Sequence, residues 1–251
     1  MVGPLSYIGG KNRLAKTIIP LIPQHKTYVE PFFGGGQVFF HKEPSRVEII
    51  NDLNDDIVNF FRVCQSHYEE LVRYLKYMLL SRQLFELCKQ TSPESLTDIQ
   101  KAARFFYLQK NAYGGLVTSQ RYKLTVEQHP NYNPERIPES LAQAHQRLQR
   151  VQIECLPYQQ ILERCDRKET FFYLDPPYWD KYLYRFNFEE QDFIELQQIL
   201  KTLKGKFILS LNDVPEVRKL FADFHLRQVT LSYTAGNLPG RKYPELLIAN
   251  F

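Results

Sequence analysis

Thr170-Phe171-Phe172-Tyr173-Leu174-Asp175-Pro176-Pro177-Tyr178 is the stretch around which the rest of the chain can be ordered. Its first five residues are apolar or aromatic apart from Thr170, the composition of a buried strand. An acid, two prolines and an aromatic ring then stand where the strand ends and a loop opens. In open α/β sheets, ligands bind outside the carboxyl ends of strands. The two prolines lack backbone N–H groups and stiffen the loop. Asp175 and the neighbouring carbonyls can accept hydrogen bonds, and Tyr178 offers a flat face beside them. Such a set suits a planar base that bears an amino group.

The same alternation of strand and helix extends outward on both sides. Upstream, a helix is expected over Lys11–Ile22, a strand over Thr27–Glu30, a helix over Gln37–Lys42 and a strand over Arg46–Ile50. Downstream, strands are expected at Val151–Leu156, Lys206–Leu211, Phe224–Ser232 and Glu245–Phe251. Helices are expected between them at Tyr158–Arg164, Glu189–Leu203 and Val214–Phe221. The middle reads differently: Asp55–Gln65, His67–Leu80 and Gln83–Lys89 have helical spacing. Thr97-Asp98-Ile99-Gln100 has the spacing of a capping box that opens a helix reaching Asn111. A polar hairpin or extended loop follows Gly114-Gly115, and Glu139–Arg150 reads as a basic amphipathic helix. The expected architecture is therefore α/β, with residues 1–56 and 151–251 forming one domain and a mostly helical segment, 57–150, inserted in it.

The 251 residues are 43% hydrophobic and 24% charged, which describes a globular chain and excludes a disordered one. No apolar run approaches the roughly 18 residues of a membrane span, and the N-terminus lacks signal-peptide features. The four cysteines are scattered and the six histidines lack metal-site spacing, so reduced thiols, no metal and a cytoplasmic location are expected. The net charge is +4, and its placement is informative. Between Thr97 and Arg150 there are eight basic and four acidic residues, while the remainder is balanced at 24 of each. A basic segment on a neutral body fits a nucleic-acid footprint, and equally a solvated helical surface.

Glu30-Pro31-Phe32-Phe33-Gly34-Gly35-Gly36 lies between an expected strand and helix. Its glycines let the backbone approach a ligand or adopt positive φ. The run is neither GxGxxG nor GxxxxGK[ST], because Gln37 stands where the latter needs Lys. An uncharged nucleoside suits such a loop, and Asp52, ending the next strand, is placed to hold ribose hydroxyls. Tyr7-Ile8-Gly9-Gly10-Lys11 is a second glycine pair before a helix. Taken singly, each run is equally a tight turn.

Together these motifs resemble, in order and over nearly the whole chain, the Dam family of DNA adenine-N6 methyltransferases. The resemblance implies a Rossmann-like S-adenosylmethionine-dependent methyltransferase sheet with an inserted target-recognition domain. It matches Tyr7 to Lys11 with an N-terminal cofactor motif and Val29 to Gly36 with the S-adenosyl-L-methionine loop. It matches Asp175-Pro176-Pro177-Tyr178 with the catalytic tetrad. The implied cofactor set is Tyr7, Lys11, Glu30, Phe33, Gly34, Gly36, Asp52, Tyr158 and Asp175. The implied DNA-binding set is Lys110, Asn111, Tyr113, Gly115, Arg121, Lys123 and Arg185. The blocks Phe207–Asp213 and Arg241–Leu247 resemble the family's later strands. Double-stranded DNA is the implied partner of a monomeric, nucleoid-associated enzyme of the restriction-modification kind. Two places depart from the family. Pro157 stands near where relatives often carry an acid that contacts the cofactor adenine, with Gln159 the nearest substitute. Val117-Thr118-Ser119-Gln120 follows Leu116, where readers of GATC usually carry an Arg.

The implied chemistry is coherent. The N6 lone pair of adenine is delocalised into the ring. Asp175 and the Pro176 carbonyl, accepting one N6 hydrogen each, would localise it for attack on a methyl sulfonium. Tyr178 would stack on a base flipped out of the duplex. Cytosine-C5 chemistry needs a nucleophilic cysteine, usually after proline, and no Pro-Cys pair occurs. Cytosine-N4 methylation uses the same amine chemistry and is the alternative; a DNA-binding relative with weak catalysis is another. Trp179 either walls the pocket or packs, and Phe105, Phe106 and Tyr107 are expected in a helix core.

Overall fold

The computed structural model describes residues 1–5, 7, 12–115, 117–127, 129–232 and 242–251; for residues 12, 13, 231, 232, 242 and 243 only the backbone is described. Strands β1 (Thr27–Glu30), β2 (Val47–Asn51), β3 (Gln152–Glu154), β4 (Thr170–Leu174), β5 (Lys206–Asn212), β6 (His225–Ser232) and β7 (Lys242–Ala249) form one sheet. Their order is β3-β2-β1-β4-β5-β7-β6. The first five run parallel, and β7 enters antiparallel between β5 and β6. Strand order reverses between β1 and β4, so the carboxyl ends of these two neighbours flank a crevice.

The helices are α1 (Asn12–Ile18), α2 (Gln37–His41), α3 (Asp55–Ser66), α4 (Tyr68–Lys76), α5 (Arg82–Gln90), α6 (Asp98–Asn111), α7 (Ile137–Leu148), α8 (Tyr158–Cys165), α9 (Glu190–Thr202) and α10 (Pro215–Leu220). They cover both faces of the sheet, and β4 shows why its residues are apolar throughout. Phe171 and Tyr173 join a core with residues of α1 to α7, whereas Phe172 and Leu174 join a second core with residues of α8, α9 and α10. A strand covered on both sides has no solvent face to mark with polar residues. The capping box at Thr97 is formed, with Thr97 Oγ1 accepting from Gln100 N–H and Gln100 Oε1 accepting from Thr97 N–H.

The expected boundary at residue 57 falls inside α3. Phe60 and Phe61 of α3 are fully buried, and the Phe61 ring meets Phe33 edge-on at 4.8 Å. One apolar cluster runs from Leu5 and Tyr28 through α3, α4, α6 and α7 to Leu247. The helical segment therefore shares the core of the sheet. A buried charge cluster strengthens the junction. Glu48 of β2 pairs with Lys42 and with Arg147 of α7, whose Nη2 lies 2.8 Å from Glu48 Oε1. The Arg147 guanidinium stacks 3.7 Å over Phe39. Burial opposes the Glu48 charge, but hydrogen bonds from Arg147 and Lys42 outweigh it and hold the carboxyl below its usual range. Among the described residues, no helix is long and apolar enough to cross a membrane.

Candidate active site

The carboxyl ends of β1, β2, β3 and β4 open on one cavity of about 550 Å³. Strand β1 contributes Glu30 and the loop through Gly36, and β2 contributes Asn51 to Asn54. The turn after β3 adds Leu156 to Gln159, and the loop after β4 adds Asp175, Pro177 and Tyr184 to Phe188. Among the described residues, four carboxylates line the cavity (Glu30, Asp52, Asp175 and Asp192) against one guanidinium, Arg185. Eight aromatic residues, Tyr7, Phe32, Phe33, Tyr158, Tyr173, Tyr184, Phe186 and Phe188, also line it.

Asp52 knits two of these segments together. Its Oδ2 accepts the Gly34 N–H at 2.7 Å and its Oδ1 accepts the Asn54 N–H at 2.9 Å. A carboxylate has about four acceptor positions, so capacity for ligand hydroxyls remains. Burial pushes its pKa up to about 6, against the lowering effect of those backbone bonds. Gly34 and Gly36 have φ of +49° and +62°. At Gly36 a Cβ would come within 2.3 Å of the Phe33 ring, so glycine is needed there on two counts. Glu30 is 2% exposed and accepts from the Tyr28 hydroxyl at 2.8 Å. Burial raises its pKa well above the usual carboxylate range, and the nearby charge of Asp175 adds to this. Tyr7 packs over the glycine loop and stacks on Tyr184, with centroids 6.1 Å apart.

Behind the Asp-Pro-Pro-Tyr loop stand three polar residues that reading the sequence did not single out for the site. Ser210 Oγ donates to Asp175 Oδ1 at 3.0 Å. Asn212 accepts from Trp179 N–H at 3.0 Å and donates to its carbonyl at 3.2 Å. The Tyr178 hydroxyl donates to Glu245 Oε2. Ser210 and Asn212 are two apart on β5, and Glu245 of β7 is in register with Asn212. The available signal was polar residues recurring every second position in an otherwise apolar strand. Trp179 does not line the cavity; it packs on Phe193 at 4.9 Å.

The expected DNA-facing residues divide. Tyr113 is 54% exposed, Arg121 is exposed and Lys123 is half-buried. The backbone pairs Tyr113 N–H with the Arg121 carbonyl and Lys123 N–H with the Asn111 carbonyl, closing a hairpin-like loop. Asn111 itself is buried and donates to the Tyr107 carbonyl at 2.9 Å; Gly115 is buried too. Lys110 is half-buried over the Phe106 ring, and desolvation lowers its pKa. Arg185 lies at the cavity rim, paired with Asp55 at 2.6 Å. Lys11 lies outside the described residues, as do Leu116 and Arg241. Around Pro157, Gln159 lines the cavity while donating to Glu195 at 3.2 Å.

A profile of the D12 class N6 adenine-specific DNA methyltransferases matches residues 7–235. The chain belongs to this family. The methyltransferase is 24% identical to the type II methyltransferase M1.LlaDCHI of Lactococcus lactis subsp. cremoris, over 98% of this chain and 94% of that one. It is 26% identical to the type II methyltransferase M.MjaIII of Methanocaldococcus jannaschii, over 98% of each. With the DNA adenine methylase of Salmonella typhi it shares 30% identity, over 69% of this chain and 64% of that one. Its reaction is S-adenosylmethionine-dependent methylation of adenine N6 in DNA. The cavity fits that donor: among the described residues, carboxylates and aromatic faces outnumber cations, which suits a ligand bearing sulfonium and ammonium charges.

Proposed function

We propose that Asp175, Pro176, Pro177 and Tyr178 form the methylation site and that the cavity beside them holds the methyl donor. The observation that carries this reading is that Asp175 and the glycine loop line the same cavity. S-adenosylmethionine supplies a methyl group that passes to N6 as the carbon–sulfur bond breaks and its electron pair stays on sulfur. Asp175 accepts one N6 hydrogen and the Pro176 carbonyl the other, turning the lone pair toward the methyl. Asp175 need not be a strong base, because the proton leaves after transfer. Tyr178 stacks on the flipped base.

On the donor side, Asp52 holds the ribose hydroxyls, Glu30 and Phe33 flank the methionine portion, and Gly34 and Gly36 allow close approach. Tyr7 covers this end, and Tyr158 lines the adenine end together with Phe32 and Phe188. Lys11 belongs to the set by resemblance. On the DNA side, Tyr113, Arg121 and Lys123 form the contact loop, supported by Lys110, Asn111 and Gly115 from beneath. Arg185 joins the DNA once its pair with Asp55 opens. In this reading the helical segment reads the target and the sheet performs transfer, within one cytoplasmic, nucleoid-associated monomer.

Incubation with unmodified genomic DNA and S-adenosylmethionine, followed by single-molecule sequencing, tests the reading. N6-methyladenine in one fixed context is expected; N4-methylcytosine would overturn the base assignment. Asp175→Ala should lose methyl transfer by at least about 10³-fold while retaining DNA binding. Turnover near wild type in that variant would remove Asp175 from the mechanism.

A further inference from the structure

Ser210 lies outside the tetrad, on the strand beside it. The register of β4 and β5 sets Tyr173 against Ile208 and Leu174 against Leu209, and one step further brings Ser210 alongside Asp175. The Ser210 side chain is fully buried. Its Oγ is 3.0 Å from Asp175 Oδ1 and 3.0 Å from the Tyr173 hydroxyl. The Leu174 carbonyl, at 3.5 Å, is a poorer acceptor.

With the Asp175 carboxylate ionised, these contacts have one consistent direction. An ionised carboxylate accepts and cannot donate. Ser210 has a single proton and gives it to Asp175 Oδ1. The Tyr173 hydroxyl must then donate to Ser210 Oγ. Tyr173 is itself 1% exposed, so the Tyr173–Ser210 end of this chain is buried in the sheet, and it reaches the cavity at the half-buried Asp175. In that setting each hydrogen bond strengthens the next. It also fixes the rotation of the Asp175 carboxylate, which a hydrated aspartate at a loop end would leave free.

We propose that Ser210, oriented by Tyr173, is a positioning residue for methyl transfer: it holds the Asp175 carboxylate at the angle from which it meets the target amine. This rests on the reading of Asp175 as the group that accepts an N6 hydrogen. The carboxylate then reaches the transition state without reorienting, and angular misplacement of such a group is costly in rate. The bland alternative is a buried hydroxyl satisfied by nearby acceptors, whose loss would lower stability and leave the chemical step alone.

The test uses the full chain, unmodified genomic DNA and methyl-labelled S-adenosylmethionine, with kcat and the two KM values measured separately. Ser210→Ala is expected to lower kcat about 10- to 100-fold, with both KM values within about twofold of wild type. Ser210→Thr, which keeps the donor, should recover most of the loss, and Tyr173→Phe should fall between Ser210→Ala and wild type. Should Ser210→Ala fail to fold, Ser210→Cys keeps the volume with a weaker donor, and a fall in its kcat is expected for the same reason. Wild-type kcat in Ser210→Ala or Ser210→Cys, with Asp175→Ala inactive, would overturn the positioning role. Activity in Asp175→Ala would overturn the reading beneath it instead.

Discussion

Asp52 stands at a point where geometry and protonation pull in different directions. Its oxygens tie the Gly34 loop to the turn at Asn54, yet burial raises its pKa to about 6. A raised carboxylate in the folded state binds more protons than in the unfolded chain between about pH 4 and 6. Its contribution to stability therefore falls as pH rises through that window. Ligand binding should show the opposite trend, because the ionised form is the better acceptor for hydroxyls. Titration calorimetry should find S-adenosylmethionine affinity weakening as pH drops below about 6. Asp52→Asn should bind more weakly at pH 7.5 and lose that pH dependence. An unchanged dissociation constant in this variant would take Asp52 out of the site. Arg147 illustrates a different use of charge. It sits in the segment whose basic excess pointed to nucleic acid, yet its guanidinium is turned inward onto Glu48 and Phe39. Arg147→Ala leaves Glu48 with one buried partner fewer and should cost about 3–5 kcal/mol, read as a lower urea midpoint. DNA affinity at fixed salt should stay level in the folded fraction.

Elements were legible where local pattern alone decides them. Strands β1 and β4 begin and end where the sequence predicts, because glycine, proline and acid punctuate them. The helix over Asp98–Asn111 is also as expected, since its capping box is local. Strand β7 begins three residues earlier than predicted and ends two residues short of Phe251. Pro244 disguised its start, although β6 and β7 pair across that position. Strand β3 is shorter than predicted: Asn51 takes the Leu156 N–H, and Pro157 opens α8. The pocket loops were readable from glycines and acids. The residues behind Tyr178 and Asp175 were not, because their partners lie 35 and 67 positions away. The same applies to Glu48 and Arg147, 99 positions apart. At this scale the hairpin-like loop carries a prediction. Arg121→Glu with Lys123→Glu should weaken DNA binding and flatten its salt dependence by about two charges' worth of slope, measured by fluorescence anisotropy from about 50 to 200 mM salt. An unchanged slope would place the DNA contact elsewhere.

Across the whole molecule, the continuous core from Leu5 to Leu247 makes the helical segment and the sheet parts of one packing unit. Unfolding followed by far-ultraviolet circular dichroism and by Trp179 fluorescence should therefore give coincident transitions. Residues 57–150 expressed alone should not hold a native fold. Two separated transitions would show that the helices have a core of their own. The position of β7 has another consequence, in the order in which the chain is made. Tyr178 is synthesised 67 residues before Glu245, the acid that holds its hydroxyl. Until β7 slides between β5 and β6, the loop that is to grip the base lacks one of its anchors and β5 lacks its neighbour. The nascent chain thus carries an unfinished reaction centre from the emergence of Tyr178 until Glu245 is made. Chains cut short upstream of β7 lack Glu245 and cannot complete the clamp.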